Sequence, residues 1–202
     1  MDNQRRIAAP FALLPEGFVP GVVISVGSDG TVVKIEKGVE NIDSLPGTEY
    51  YSGVLIPGMV NTHSHIEYSY VKGMIPSGGG LPEFIRSIIA IKAANEVPDP
   101  QKAEAARVWD AKLYAEGVTA IGDHNNNDYV YDMKRSSRIY YHDFIELFDV
   151  DGQTAEETFL QGMERVERSR GYGFAATIVP HANYTMEDEL MALTGGMKAA
   201  SN

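Results

Sequence analysis

The first fifty-odd residues alternate β-branched runs with turn residues. Ile7 to Leu14 is apolar but broken by Pro10 and bounded by Pro15, and it reads as an opening strand segment. Val22-Val23-Ile24-Ser25-Val26 precedes Ser28-Asp29-Gly30, and Thr31-Val32-Val33-Lys34-Ile35 resumes the pattern. An Asp-Gly pair between two such runs predicts a β-hairpin, because glycine accepts the positive φ that the turn requires. A polar stretch over residues 40–47 follows, and residues 50–56 return to strand-like composition.

After Gly58 the texture changes to alternating strand and helix. Residues 59–63 are a short apolar strand running into polar residues. Leu81, Phe84, Ile85, Ile88, Ile89 and Ile91 recur near helical spacing, with Pro82 suited to a first turn, and predict a helix over 81–95. A second helix over 100–116 carries Ala105, Ala106, Trp109 and Leu113 on one stripe, with Gly117 as its stop. Trp109 is most simply a core residue. Strands are expected over 118–122, 138–148 and 174–179, with a helix over 155–169 whose stripe is Phe159, Met163 and Val166. A last helical stretch, 186–200, is expected to fray at Gly195-Gly196. This alternation predicts an α/β chain with a parallel sheet of βα units. At about 30 or more residues per unit, there is room for about four. The expected division is residues 1–56 and 57–202.

Composition narrows the function classes. The chain has 202 residues, 44% hydrophobic and 22% charged, which is ordinary for a globular protein. With 28 Asp and Glu against 17 Lys and Arg, the formal net charge is −11. Such a chain repels phosphate backbones and anionic lipid, so neither nucleic acid nor membrane is an expected partner. The absence of cysteine excludes disulfides, Cys-ligated zinc and a thiol nucleophile. No apolar run approaches the roughly 20 residues that span a bilayer. Arg5-Arg6 before an apolar stretch imitates a signal peptide, but no small-residue cleavage site follows, so a strand and a cytoplasmic location are expected.

The chemistry concentrates in Pro57-Gly58-Met59-Val60-Asn61-Thr62-His63-Ser64-His65-Ile66-Glu67. Strand side chains alternate faces, so His63 and His65 point the same way, with Cα atoms roughly 6.5 Å apart at about 3.3 Å per residue. Two imidazoles at that spacing can converge on one ion, and neutral imidazole suits Zn, Fe, Mn or Ni. By itself the spacing also fits a structural or solvated histidine pair. Glycines 78–80 lack a phosphate-loop lysine and read as a flexible loop over the pocket.

Residues 54–72 resemble the first barrel strand of the amidohydrolase superfamily, in its branch of cyclic-amidine deaminases and chlorohydrolase-like enzymes. That family pattern is Pro-Gly, an apolar pair, Asn, a small residue and His-x-His, matched here from Pro57 to His65. Glu67-Tyr68-Ser69 and Lys72-Gly73 are similar to the aminodeoxyfutalosine-deaminase-like members. Gly117-Val118-Thr119-Ala120-Ile121-Gly122-Asp123 resembles the second strand, and Pro180-His181-Ala182-Asn183-Tyr184-Thr185 the motif after the fourth. The resemblance implies a partial (β/α)8 TIM-type barrel, its first four or so βα units, preceded by part of a small β-sandwich. It implies a hydrolase of non-peptide C–N bonds, deaminating a cyclic amidine such as a purine-like ring or related nucleoside. The implied partner is a small-molecule substrate, and the full-length form is expected to be a homodimer. One divalent transition metal, zinc before Fe, Mn or Ni, would be held by His63 and His65. Ring-amide hydrolysis of the imidazolonepropionase or dihydroorotase type, or a non-catalytic fragment or interaction module, are the alternatives.

The same resemblance implies an incomplete site. Later strands of the family supply a His-x-x-Glu, a further His and an Asp; no histidine here sits in a His-x-x-Glu and no Ser-Asp motif follows His181, so the proton-shuttling Glu and the water-activating Asp are expected beyond Asn202. The chain is then expected to be a truncated half, inactive alone, since a barrel typically needs about 250 residues. A parallel sheet ending at its fourth strand would expose its edges. Three further residues are candidates for the substrate side. Glu67 shares a face with His65 if the strand persists; otherwise it is a solvated loop residue. His181 matches the family histidine that orients substrate, the alternative being a strand-end His satisfied by backbone. Glu146 shares a face with His142, Phe144 and Phe148 and is placed at the barrel mouth, unless it is a buried structural carboxylate. Asp123 and His124 fall on the same loop side with no role assigned.

Overall fold

The computed structural model describes residues 5–200 of the chain. They form two compact units that divide between Pro57 and Gly58.

The first unit is a five-stranded sheet. Strands β1 (Arg5–Leu14) and β2 (Gly17–Val26) pair antiparallel across Pro15-Glu16, and β3 (Val32–Glu36) pairs antiparallel with β2. The expected hairpin is the β2–β3 connection. Gly30 lies at φ +85°, and Asp29 accepts hydrogen bonds from the Thr31 amide (3.0 Å) and hydroxyl (2.9 Å), which fixes the turn. Two short strands, β4 (Glu49–Tyr50) and β5 (Val54–Leu55), run parallel to β1. Ala8, Ala9, Ala12, Val22 and Val23 are buried at the centre. Arg5 and Glu49 form a two-pronged ion pair at 2.6 and 2.7 Å that ties β1 to β4.

The second unit is a parallel four-stranded sheet in the order β6 (Met59–Ser64), β7 (Val118–His124), β8 (Tyr140–Leu147) and β9 (Ala175–Pro180). Helices α1 (Gly80–Ala94) and α2 (Asp99–Ala115) separate β6 from β7. The short α3 (Tyr131–Ser136) separates β7 from β8, α4 (Ala155–Gly171) separates β8 from β9, and α5 (Asp188–Ala200) follows β9. Parallel strands need such crossovers, and the sequence rhythm of βα units is this architecture. Alternation along β7 and β8 sends Ile121 and Tyr141 into one core cluster with Ala106 of α2, and Ile145 and Leu147 into a second with Val166, Ile178 and Leu190. Burial of each such aliphatic side chain contributes about 1.5–3 kcal/mol. The opposite face carries His124, His142, Phe144 and Glu146.

Glycine, cap and core residues place the boundaries. Gly117, at φ +93°, stops α2 as its position suggests. Thr154 and Glu157 form a reciprocal capping box that starts α4. Gly122 lets β7 and β8 approach: a Cβ there would lie 2.7 Å from the Phe144 ring and 3.0 Å from the Thr62 carbonyl oxygen.

Three expectations need correction, and one element had none. Helix α3, preceded by a 3-10 turn over Asp128–Val130, occupies a segment that gave no periodic signal, because six residues do not complete two turns. Glycines 78–80 are not all loop, since Gly80 opens α1. Helix α5 does not fray at Gly195-Gly196 but runs through both to Ala200; a penalty of about 1 kcal/mol per glycine does not end a helix by itself. The β6 strand ends at Ser64, and a 3-10 turn over Ile66–Val71 follows, so Glu67 is not on a continued strand with His65. No helix among the described residues is long and apolar enough to cross a membrane.

Candidate metal and substrate site

Parallel pairing puts the C-terminal ends of β6 to β9 on one rim. Ser64 is in register with Asp123, His124 with Phe144, and Leu147 with Pro180, so His63, His65, His124, Glu146 and His181 all come from this end. The rings of His63 and His65 have centroids 5.4 Å apart and meet edge to face. The His124 ring stacks on His63 at 4.0 Å and lies 5.4 Å from His65. His124 Nδ1 is 2.8 Å from Glu146 Oε1, and the Glu146 carboxylate is nearly buried. The face expected for Glu146 is the one it occupies. Its partner there is His124, which had no assigned role.

His63 is exposed and His65 is half-buried. Burial pushes the His65 pKa down, against the opposing pull of the Glu146 and Asp123 charges, and so favours the neutral imidazole that a metal requires. The His65 Nδ1 atom is buried and has no hydrogen-bond partner. Two neutral imidazoles from neighbouring positions at one strand end, with rings 5.4 Å apart, fit as part of the ligand set of a borderline-soft divalent ion. Among the described residues, no group of three or more His, Asp or Glu side chains is arranged to hold one.

Glu67 is not open to a ligand. It is 1% exposed; its Oε2 accepts from the Asn126 amide (3.2 Å) and the Asn127 Nδ2 (2.6 Å). Its backbone oxygen accepts from the Tyr129 hydroxyl at 2.7 Å. Burial pushes its pKa up. The substrate contact expected for it has no opening here: its Oε2 is bonded to the loop after β7. His181 lies at the end of β9, exposed, with Nδ1 3.0 Å from Thr185 Oγ1 and its amide donating to Leu147 O.

Asn125, Asn126 and Asn127, which no motif singles out, also build the site. Asn126 bridges both backbone groups of Glu146, accepting from its amide (3.1 Å) and donating to its carbonyl (3.2 Å). The Asn125 amide donates to Phe144 O. Three short polar side chains directly after a strand end were the available signal, since asparagine readily bonds neighbouring backbone.

A cleft of about 600 Å³ opens beside His65. Its walls are mainly apolar, with Trp109, Phe84, Ile88 and Ile75, and Tyr68 and Lys72 add polar atoms. Trp109 is thus both a core neighbour and a cleft wall, with the Lys72 and Lys112 ammonium groups 4.1 and 4.6 Å from its ring. A more polar depression of about 340 Å³, between Asp128, Tyr131, Glu164 and Arg168, has no imidazole on its wall.

Residues 54–200 match the amidohydrolase family. The chain belongs to that family. A curated relative, formimidoylglutamate deiminase of Pseudomonas aeruginosa, is 29% identical over 120 residues, which is 58% of this chain and 25% of the relative. The fold is similar to Helicobacter pylori aminofutalosine deaminase, solved with methylthio-coformycin: TM-score 0.77 at 16% identity, over 98% of this chain and 48% of that one. It is also similar to zinc-complexed atrazine chlorohydrolase of Arthrobacter aurescens, with TM-score 0.76 at 13% identity over 96% and 50%. The chain spans about half the length of these solved structures and a quarter of the curated relative.

Proposed function

We propose that this chain carries the metal-binding end of a hydrolase of non-peptide C–N bonds that deaminates a cyclic amidine, a purine-like ring or related nucleoside. The observation that carries the reading is the imidazole group at the ends of β6 and β7, in a chain of the amidohydrolase family. His63 and His65 would hold one divalent transition metal, zinc foremost. When bound, it supplies Lewis acidity and a lowered pKa for water. His124, fixed by Glu146, packs against His63 and fills the floor of the site. Glu146, through His124, and His181 at the end of β9 serve the substrate side. The proton shuttle to the leaving amine is assigned to no described residue.

The cleft supports the ring over a small acidic amidine. A mainly apolar wall with an indole and a phenyl ring favours a flat, weakly polar substituent, which such surfaces bind by burial and stacking. The name of the Pseudomonas relative points instead to an acyclic formimidoyl group on an acidic amino acid.

Trp109 is the chain's single tryptophan, so its fluorescence reports on the cleft. In zinc-supplemented protein, purine-like cyclic amidines should quench it saturably and N-formimidoylglutamate should not. The reverse order would replace the ring reading with the acyclic one. Quenching by neither would remove the substrate assignment. The 202-residue chain alone should release no ammonia; turnover by it would overturn the incomplete-site part of the reading.

A further inference from the structure

Metal-binding histidines are usually oriented by a hydrogen bond from the ring nitrogen that does not face the metal. His65 has no such partner, since its buried Nδ1 is unpaired. Its ring is placed by the main chain that follows it, which packs against α2 and, beyond the bonds of its own turn, is hydrogen-bonded from β7 and the segment just after it. The Ile66 amide donates to Asp123 Oδ1 at 2.8 Å, a bond 57 residues apart in sequence and fully buried. The next residue is fixed by the bonds from Tyr129, Asn126 and Asn127 to Glu67. All four anchors lie on β7 or within the segment just after it.

Asp123 is itself held. Its Oδ2 lies 2.6 Å from Lys134 Nζ as an ion pair without hydrogen-bond alignment, Lys134 donates instead to Asp143 Oδ1 at 2.5 Å, and Asp143 Oδ2 accepts from Ser169 Oγ at 2.6 Å. The Asp123, Lys134 and Asp143 side chains are all fully buried. The network therefore ties the turn after His65 to β8, α3 and α4 together.

We propose that Asp123 is a positioning residue for metal binding: it fixes His65 through the Ile66 amide, and Tyr129 assists through Glu67. The proposal rests on the reading of His63 and His65 as metal ligands. Other groups keep their ordinary structural duties, but the backbone bond from Ile66 to Asp123 sets the approach of the two rings.

The test is a zinc titration of the full chain, followed by imidazole ¹⁵N NMR, in the parent and in Asp123→Ala, Asp123→Asn, Tyr129→Phe and His63→Ala. Asp123→Ala should weaken zinc binding by about tenfold, the low end for outer-shell partners. Asp123→Asn retains an acceptor for the Ile66 amide and should stay within about threefold of the parent. Tyr129→Phe, which keeps the ring and folds if Asp123→Ala does not, should weaken binding by about threefold and shift the His65 ring resonances. Unchanged zinc affinity and unchanged His65 resonances in Tyr129→Phe and in whichever Asp123 variants fold would overturn the positioning role while leaving the ligands in place. A parent that binds no zinc, or binds it as well after His63→Ala, would overturn the ligand reading and this proposal with it.

Discussion

Replacing Lys134 with methionine keeps most of the stem volume and removes its ammonium. That group lies 2.6 Å from Asp123 Oδ2 and 2.5 Å from Asp143 Oδ1, with all three side chains at 0% exposure. At an effective dielectric near 20, each contact is worth about 6 kcal/mol in gross terms. Desolvating each ion costs several kcal/mol, so the pairs contribute far less in net terms. The variant, however, keeps both carboxylates buried and loses their counter-ion, a situation that typically costs about 3–5 kcal/mol. Against a total stability of about 5–15 kcal/mol, that is a large fraction. Urea unfolding followed by far-UV circular dichroism and by Trp109 fluorescence gives the difference, provided the two curves coincide. Adding Asp123→Asn to Lys134→Met should recover part of the loss, because one uncompensated charge goes. A loss below about 1 kcal/mol, or no recovery in the double variant, would refute the view that Lys134 neutralises this layer.

Gly122→Ala forces a Cβ against the Phe144 ring and the Thr62 carbonyl and should destabilise by about 1–3 kcal/mol, read by the same urea midpoint; a neutral result would mean that β7 and β8 do not approach as described. In the first unit, the Arg5 guanidinium holds Glu49 at a pKa of about 2, below the ordinary 4.5. A depressed carboxylate contributes stability above its unfolded value and loses it as pH falls towards 2, so a carboxyl NMR titration of Glu49 should show its midpoint near 2, and a midpoint near 4.5 would show the pair to be unformed. Thr154→Ala breaks the capping box of α4 and should cost about 1 kcal/mol; no change in the urea midpoint would show that the cap contributes nothing.

What could be read from the sequence follows from range. The nearness of the His63 and His65 rings was legible because their spacing is local, although His65 lies one residue past the end of β6. The Asp29-Gly30 hairpin and the Gly117 stop were legible because each depends on one residue's backbone freedom. The side of β8 that carries Glu146 was legible from alternation with Ile145 and Leu147. The clamp on Ile66 was not, because Asp123, Lys134, Asp143 and Ser169 meet only through the β6–β7–β8 register and the α3 turn. Glu67 was misplaced for a related reason. Its spacing from His65 suits a strand, but Asn126, Asn127 and Tyr129 reward a turn instead. His124 gave no signal of its own; it enters the site only because parallel pairing sets its ring beside that of His63.

The central claim is that His63 and His65 form one metal-binding pair, and zinc titration of the ¹⁵N-imidazole resonances tests it most directly. The account predicts that the His63 and His65 rings shift together and saturate with the same midpoint, while His142, bonded to Thr177 Oγ1 at 2.9 Å, does not move. Shifts spread evenly over all five histidines, or none at His63 and His65, would contradict it.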